Sequence, residues 1–194
     1  MTDHSFDFAA ARRAMVDSQL RPQGVNDPGV IEAMATVPRE QFVPAASGAL
    51  AYLDRPVPAG EGRMLSPPAA TGLLLTALAP RAGQKAVVVG SIPGYAAAVL
   101  ARIGCVVSEG AADRGNAAQA PYDLIVVDGA VAEIPQPLID QLRDGGQIGF
   151  AKVDRGLTRL VVGRKSGGAL GLRSIADIGV PAMPGVERPR AFTF

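Results

Sequence analysis

The amino-acid sequence predicts an α/β fold: a doubly wound, mostly parallel sheet with an antiparallel C-terminal hairpin and an N-terminal helical cap. Three patterns support this prediction. From residue 85 onward, short apolar runs alternate with helical segments, the order that produces parallel strands covered by helices on both faces. Two later runs flank a turn at 166–168, as in a hairpin. Before residue 45, apolar residues recur at helical spacing.

The bulk composition predicts a single globular domain over residues 1–194. Hydrophobic residues make up 48% of the chain, which is typical of globular rather than disordered proteins. Within this domain we expect N-terminal helices and a functional loop in 1–66 and an α/β core in 67–194. The formal net charge is +1 and the basic residues are scattered, so we expect no nucleic-acid partner.

The chain also lacks the signals of a secreted or membrane-bound protein. Charged residues precede the first apolar block, unlike the order in a secretory signal. No apolar run reaches the roughly 18 residues that a bilayer span requires. We therefore expect a cytoplasmic protein that does not associate with membranes.

Two residues that occur once each limit the chemistry. Cys105 is the only cysteine, which excludes an intrachain disulfide, and its apolar surroundings indicate a small buried side chain. His4 is the only histidine and lies near the terminus, so a Ser-His-Asp triad and a histidine-based metal cluster are not expected.

The N-terminal third predicts two helices followed by a loop. Residues 7–21 have an amphipathic pattern, and a second helix is predicted from Pro28, whose type suits a first helical position. Phe42 is expected to be a packing anchor in the turn that follows. Residues 45–66 are rich in proline and glycine, and irregular segments of this length inside a compact domain are often functional.

The remaining elements follow from apolar runs and turn residues. Ser66 and Pro67 are typical of the cap and first position of an apolar helix that continues to about residue 79. Beyond it we predict strands at 85–89, 105–109, 122–128 and 146–153, helices at 94–103 and 135–144, and hairpin strands at 157–165 and 169–178.

Five blocks, taken in order, resemble one enzyme family. They are MVDSQLRPQGVNDPGVIEAMATVPREQFVP, AYLDRPVPAGEGRMLSPP, VVVGSIPGYAAAVLA, YDLIVVDGAVAEIPQPLIDQLRDGGQIG and PAMPGVERPRAFTF. The chain resembles the protein-L-isoaspartate O-methyltransferases, particularly their shorter bacterial forms. This resemblance implies an S-adenosylmethionine-methyltransferase-like fold.

The resemblance also implies a reaction. A methyl group would pass from S-adenosylmethionine to the free carboxylate of isoaspartyl residues, so the implied partners are damaged proteins or peptides. Such a carboxylate is already ionised at pH 7. The enzyme mainly orients the reacting groups, which supplies roughly 7–11 kcal/mol when the geometry is good. The lack of a useful histidine therefore does not exclude this activity.

Two residues of the second block match the family's active-site loop. Ser66 stands at the position of the active-site serine, which the resemblance places near the reacting carboxylate. An ordinary helix cap is an equally good interpretation of this serine. Asp54 matches the loop acid, and it either organises the loop through backbone contacts or faces solvent.

The third block stands where the family has its glycine-rich cofactor loop. Gly90, Ser91 and Gly94 would bind the cofactor through the main chain. Ile92 replaces the middle glycine, and its branched side chain disfavours positive φ. Val88 replaces an acid that would attract the cationic part of the cofactor.

The region after Glu109 is shorter than the family pattern, as if one strand and most of a helix were missing. Glu109 is either the acid that binds the ribose, the end of the later strand, or an exposed strand-end glutamate. Asp128 ends the next strand, at the edge where open α/β sheets bind ligands. It would either help bind adenosine or cap the following turn.

Three functions are consistent with these residues. The first is an isoaspartyl O-methyltransferase, which Ser66 and Asp54 favour. The alternative is a catalytically degenerate homologue that acts as a partner-binding or structural domain, which Val88, Ile92 and the shortened region favour. A weaker third is a methyltransferase-like domain that binds a different small ligand.

Overall fold

The computed structural model describes residues 6–90, 94–154 and 156–183. Ser91, which is predicted to bind the cofactor, and Ile92, which is predicted to disfavour the loop conformation, lie outside the described residues. Most of the C-terminal block that resembles the family lies outside them as well.

A six-stranded sheet forms the centre of the structure, in the order β4-β3-β5-β6-β7-β8. Strands β4, β3, β5 and β6 run parallel, and β7 and β8 continue the sheet antiparallel. This arrangement confirms the predicted mostly parallel sheet with a C-terminal hairpin. The strands are β3 Lys85–Gly90, β4 Val106–Gly110, β5 Tyr122–Val131, β6 Leu142–Asp154, β7 Leu157–Ser166 and β8 Ala169–Asp177.

Helices cover both faces of the sheet at β3, which explains why residues 86–89 of this strand are all apolar. Val88 packs on the face covered by α3 and α4, whereas Val87 and Val89 pack on the opposite face, beside α5. A strand buried on both faces has no polar positions to alternate with. The helices are α1 Phe8–Met15, α2 Pro28–Thr36, α3 Pro68–Leu78, α4 Tyr95–Ile103 and α5 Gln136–Asp140.

The predicted N-terminal helical cap is confirmed. Helix α1 continues through a π-helical turn at Val16–Leu20, so helical structure spans most of 7–21. Helix α2 begins at Pro28, and the Asp27 carboxylate accepts a hydrogen bond from the Val30 amide, which satisfies one of the free N–H groups of the first turn.

The loop at 45–66 is more regular than the sequence predicts. It contains a 3-10 helix at Ala45–Leu50 and a small hairpin of β1 Val57–Gly60 and β2 Arg63–Leu65. The two residues between these strands, Glu61 and Gly62, both have positive φ. Positive φ at both central positions is the requirement of a type I′ hairpin turn.

The predicted helix at 135–144 is too long. Helix α5 ends at Asp140, and β6 begins at Leu142, which is buried and pairs with Tyr122. Burial of Leu142 in the sheet outweighs the helical pattern around it. Gly145 lies within β6, between Leu142 and Gln147, where the pairing with β5 shifts register. Its φ of +77° is a conformation that glycine adopts readily at such a bulge.

The connection between β4 and β5 is short, and it lies where the sequence predicts a shortened region. Between Gly110 and Tyr122 the chain forms only a narrow turn and the 3-10 helix Ala117–Gln119. Strand β4 therefore lies at the edge of the sheet, next to β3.

The buried side chain of Gln141 fastens this short connection to α5. Its Nε2 donates to the carbonyl oxygens of Arg114 (2.7 Å) and Pro137 (2.9 Å), and its Oε1 accepts from the Asn116 amide (3.0 Å). One amide side chain thus satisfies three backbone groups that have few alternative partners.

Three further features bear on function. Cys105 is buried, and its thiol donates to the Arg81 carbonyl oxygen, which agrees with a small buried side chain. Among the helices of the described residues, none is long and apolar enough to cross a membrane. The same residues contain no group of His, Cys, Asp and Glu side chains that could hold a metal ion.

We expect Gln141→Ala to lower the free energy of unfolding by about 1–3 kcal/mol, because it removes three hydrogen bonds made by a buried side chain. Urea denaturation measures this loss. Gln136→Ala is the matched control, since its exposed side chain bonds only to Asp140 and its loss should cost no more than about 0.5 kcal/mol. Equal effects of the two substitutions would contradict the role of Gln141.

Candidate active site

The carboxyl ends of three neighbouring strands bring most of the predicted cofactor residues to one edge of the sheet. Val88 of β3 is in register with Glu109 of β4, and Gly90 is in register with Asp128 of β5. Glu109 and Gly90 therefore lie near the ends of neighbouring strands, and Asp128 lies beside Gly90, at the edge where open α/β sheets bind ligands. The prediction that Asp128 ends its strand is wrong, because β5 continues to Val131.

Both glycines of the cofactor loop are required by close contacts. A Cβ on Gly90 would lie 2.5 Å from the carbonyl oxygen of Asp128, so no other residue lets these strand ends approach. Gly94 has a φ of +143° and precedes α4. A Cβ there would lie 2.8 Å from the Phe42 ring, which confirms Phe42 as a packing anchor.

Ser66 connects the end of the functional loop to the sheet. Its hydroxyl donates a hydrogen bond of 2.8 Å to Oδ1 of Asp128. The prediction that Ser66 caps α3 is wrong, because the helix begins at Pro68 and Pro67 occupies the capping position. Two consecutive prolines follow Ser66, and the helix begins at the second of them, one residue later than predicted. The Ser66 hydroxyl is therefore available to bond to the sheet.

Asp54 accepts a hydrogen bond from the first turn of α3, which is the contact predicted for Ser66. Its Oδ1 accepts from the Ala69 amide in the first turn of α3 (3.2 Å), and its Oδ2 accepts from Gln23 Nε2 (2.5 Å). Of the two roles left open for this acid, the structure shows the backbone contact that organises the loop. Asp54 itself is exposed, and its partners differ from those of the Ser66–Asp128 pair.

Arg39 is the site residue that the sequence analysis missed. It is fully buried, its Nε donates to the Ala51 carbonyl oxygen (2.6 Å), and its Nη2 donates to the Ser66 carbonyl oxygen. Its guanidinium carbon lies 4.6 Å from the centre of the Tyr95 ring. Arginine is usually exposed, so the only signal was its position just before Phe42 in the first family-like block.

The charges of Arg39 and Asp128 support each other. Burial raises the pKa of the Asp128 carboxyl, and both the Ser66 hydrogen bond and the positive charge of Arg39 oppose that rise. Burial likewise lowers the pKa of Arg39, and Tyr95 and Asp128 oppose that fall. Each group thus favours the charged form of the other.

A second network fixes the start of the loop to the helical cap. Arg12 donates to the Tyr52 hydroxyl (2.9 Å) and to Glu40 Oε1 (3.0 Å), and Tyr52 donates to Glu40. Burial, together with the bond to Glu40, raises the pKa of Tyr52 to about 12. Tyr52 therefore remains a neutral hydrogen-bond donor at physiological pH.

The acid candidates at the strand ends differ in their surroundings. Glu109 is exposed on the edge strand, and its main-chain oxygen accepts from Asn116 Nδ2 (3.2 Å). Val88 is fully buried beneath the helices, so this position contributes packing and no charge. Asp128 is engaged by Ser66.

A small, partly open cavity is lined by the Ser66–Asp128 pair. Its volume is about 20 Å³, enough for about one water molecule. A ligand the size of a nucleoside therefore does not fit inside it. The lining includes Ser66, Ala70, Thr71, Leu74, Asp128 and Gly129.

Sequence comparison decides the family. A sequence model described as Protein-L-isoaspartate(D-aspartate) O-methyltransferase (PCMT) matches residues 10–110 and 104–172. The chain belongs to the protein-L-isoaspartate O-methyltransferase family. The two matched stretches share residues 104–110, so strand β4 fits two parts of the family sequence. This overlap is expected where one strand stands in place of two.

Named relatives agree with this assignment. Protein-L-isoaspartate O-methyltransferase 2 of Anaeromyxobacter sp. (strain Fw109-5) is 39% identical over 178 residues, covering 78% of this chain and 73% of the relative. Two solved structures have TM-scores of 0.73 at 19% identity, which establishes the shared fold. One is a protein-L-isoaspartate O-methyltransferase, and the match covers 90% of this chain and 66% of that protein. The other, from Plasmodium falciparum, was solved with S-adenosyl-L-homocysteine, and the respective shares are 89% and 97%.

The raised pKa of Asp128 predicts a specific pH dependence of stability. The folded protein binds this proton more tightly than the unfolded chain, so the contribution of Asp128 to stability is greatest below the unfolded pKa of about 3.9. It is lost as the pH rises through the folded pKa. We therefore expect Asp128→Asn to become more stable relative to the unmodified protein between about pH 4 and about pH 7.

Urea denaturation across this range measures the difference in unfolding free energy. Ser18→Ala is the control, because it removes an exposed hydroxyl and no ionisable group, so its difference should not change with pH. A relative loss of stability of Asp128→Asn with rising pH would contradict the raised pKa.

Proposed function

We propose that this chain is a protein-L-isoaspartate O-methyltransferase, which transfers a methyl group from S-adenosylmethionine to the carboxylate of isoaspartyl residues in damaged proteins. Family membership supports the reaction class. The observation that carries the proposal is the Ser66–Asp128 hydrogen bond, which holds a serine hydroxyl at the carboxyl edge of the sheet. The cytoplasmic location remains a prediction from the sequence.

The strand ends fit the nucleoside part of the cofactor. Glu109 offers an exposed carboxylate for ribose hydroxyls, and helix α4, which follows Gly94 without a side-chain cap, would offer the N–H groups of its first turn. Asp128 keeps its predicted place as a second acid at this edge. When bound, S-adenosylmethionine would supply the methyl group together with its own leaving group, the sulfonium sulfur.

The protein's own residues then have to bind and orient the substrate carboxylate. In the structure the Ser66 hydrogen points at Asp128, so Ser66 has no proton left to donate to a substrate. An incoming carboxylate near Asp128 would raise the pKa of Asp128 further, because like charges disfavour ionisation. Once protonated at Oδ1, Asp128 would donate to Ser66 Oγ, and Ser66 would donate to the substrate carboxylate.

The two alternatives have weaker support. The comparisons favour neither a degenerate homologue nor a different small ligand, since the relatives described above are named as methyltransferases. Val88 remains the residue that a degenerate homologue would explain best. Asp128 would take over the role of the acid that Val88 replaces, because its carboxylate lies on the neighbouring strand β5 and is held there by Ser66.

A methyl-transfer assay with an isoaspartyl peptide tests the proposal directly, with the same peptide carrying a normal aspartyl residue as the substrate control. We expect transfer to the isoaspartyl peptide only. Ser66→Ala should lower kcat by about tenfold or more, because it removes the donor that orients the substrate. The Kd for S-adenosyl-L-homocysteine should change by less than about threefold.

Ser18→Ala serves as the matched serine control and should leave kcat unchanged, since Ser18 bonds only to the Ala14 carbonyl oxygen on the helical cap. If the unmodified chain neither binds the cofactor product nor methylates the peptide, the degenerate homologue is correct. If Ser66→Ala lowers kcat and affinity equally, Ser66 supports the structure of the site and does not orient the substrate.

A further inference from the structure

Arg39 joins the two ends of residues 51–66, the part of the loop that lies in the second family-like block. Its Nε donates to the main chain at Ala51, where this segment begins, and its Nη2 donates to the main chain at Ser66, where the segment ends. Only a planar guanidinium presents two donors in such a fixed fork. One side chain therefore determines the distance between the two ends of this segment.

The same guanidinium also contacts the cofactor side of the site. It lies over the ring of Tyr95, the first residue of α4, and Tyr95 directly follows Gly94. Phe42 packs against the same ring, with 5.5 Å between ring centres. Arg39 thus contacts both the serine end of the loop and the start of the helix behind the glycine loop.

Burial of this charge is not the most stable solution. Nη1 of Arg39 and the Tyr95 hydroxyl are both buried without a hydrogen-bond partner among the described residues. Buried donors without partners cost stability, and apolar residues of similar volume often replace buried ions at no loss. Core packing alone therefore does not explain an arginine at this position.

We propose that Arg39 is a positioning residue for methyl transfer, which holds the main chain of Ser66 so that its hydroxyl meets Asp128 on strand β5. This inference rests on the proposed function. Arg39 acts through Ser66 and does not touch the substrate. Its contribution is the geometry of a hydroxyl whose misplacement by a fraction of an ångström would slow the reaction.

Three substitutions separate this role from simple support of the fold. Arg39→Met removes both the charge and the two hydrogen bonds to the loop main chain. Arg39→Lys keeps the charge but cannot make both hydrogen bonds. The double variant Arg39→Met with Asp128→Asn removes the positive and the negative charge together. Arg12→Met is the matched control, because Arg12 also binds the start of the loop, through Tyr52, but does not reach Ser66.

We expect Arg39→Met to lower kcat by about 100-fold with less than about threefold change in KM for the isoaspartyl peptide, after correction for the folded fraction. Arg39→Lys should recover less than about a tenth of the lost kcat, because the ammonium cannot donate to both carbonyl groups in the fork geometry. The double variant should regain stability but not kcat. Arg12→Met should change kcat by less than about threefold.

Hydrogen exchange of the amides in 51–66 gives a readout that needs no activity. Arg39→Met should speed their exchange about tenfold while α3 and β5 stay protected, and Arg12→Met should leave the Ser66 end unchanged. The proposal is overturned if Arg39→Met keeps the original kcat, if Arg12→Met loses as much, or if the loop exchanges at the original rate. An inactive unmodified chain would overturn the proposed function instead, and the exchange rates would still decide whether Arg39 holds the loop.

Discussion

The hydrogen bond from Ser66 to Asp128 is the contact on which the organisation of the site depends. It joins two elements that are far apart in the sequence, the end of the proline-rich loop and strand β5, at the residue that pairs with Gly90. The loop can hold this position because it is fixed elsewhere, by Asp54 at the start of α3 and by Arg39 at Ala51 and Ser66. The N-terminal helical cap therefore supports the site as well as covering the core.

The predicted cofactor edge of the sheet consists of few elements. The edge strand β4 lies next to β3 and brings Glu109 to the level of Val88. The short connection that follows is fastened by Gln141. The register between β4 and β3 thus places Glu109 beside the glycine-bearing end of β3.

Much of the fold could be predicted because hydrophobic periodicity and turn residues agree with it. The apolar run of β3, the glycine after α4 and the double glycine of the hairpin all have the conformations that their residue types favour. The prediction failed where tertiary contacts overrode local preference. Leu142 joined the sheet instead of a helix because the sheet buries it against Tyr122.

The candidate site was predictable only in part, for a similar reason. Ser66 and Asp54 could be placed by motif, but their partners could not, because a cap and a long-range hydrogen bond use the same residue types. Apart from its place in the first family-like block, Arg39 gave no signal, since only the assembled structure shows its contacts with the loop and with Tyr95. Contacts between distant elements are the part of a site that the order of residues alone does not contain.

Calorimetric titration of the full chain with S-adenosyl-L-homocysteine tests the central claim most directly, because it asks whether the strand ends still bind the nucleoside. The account predicts saturable binding at one site, accompanied by a rise in melting temperature, and a loss of affinity of about tenfold or more in Glu109→Ala. Absence of both heat and thermal shift at about 1 mM ligand would contradict it.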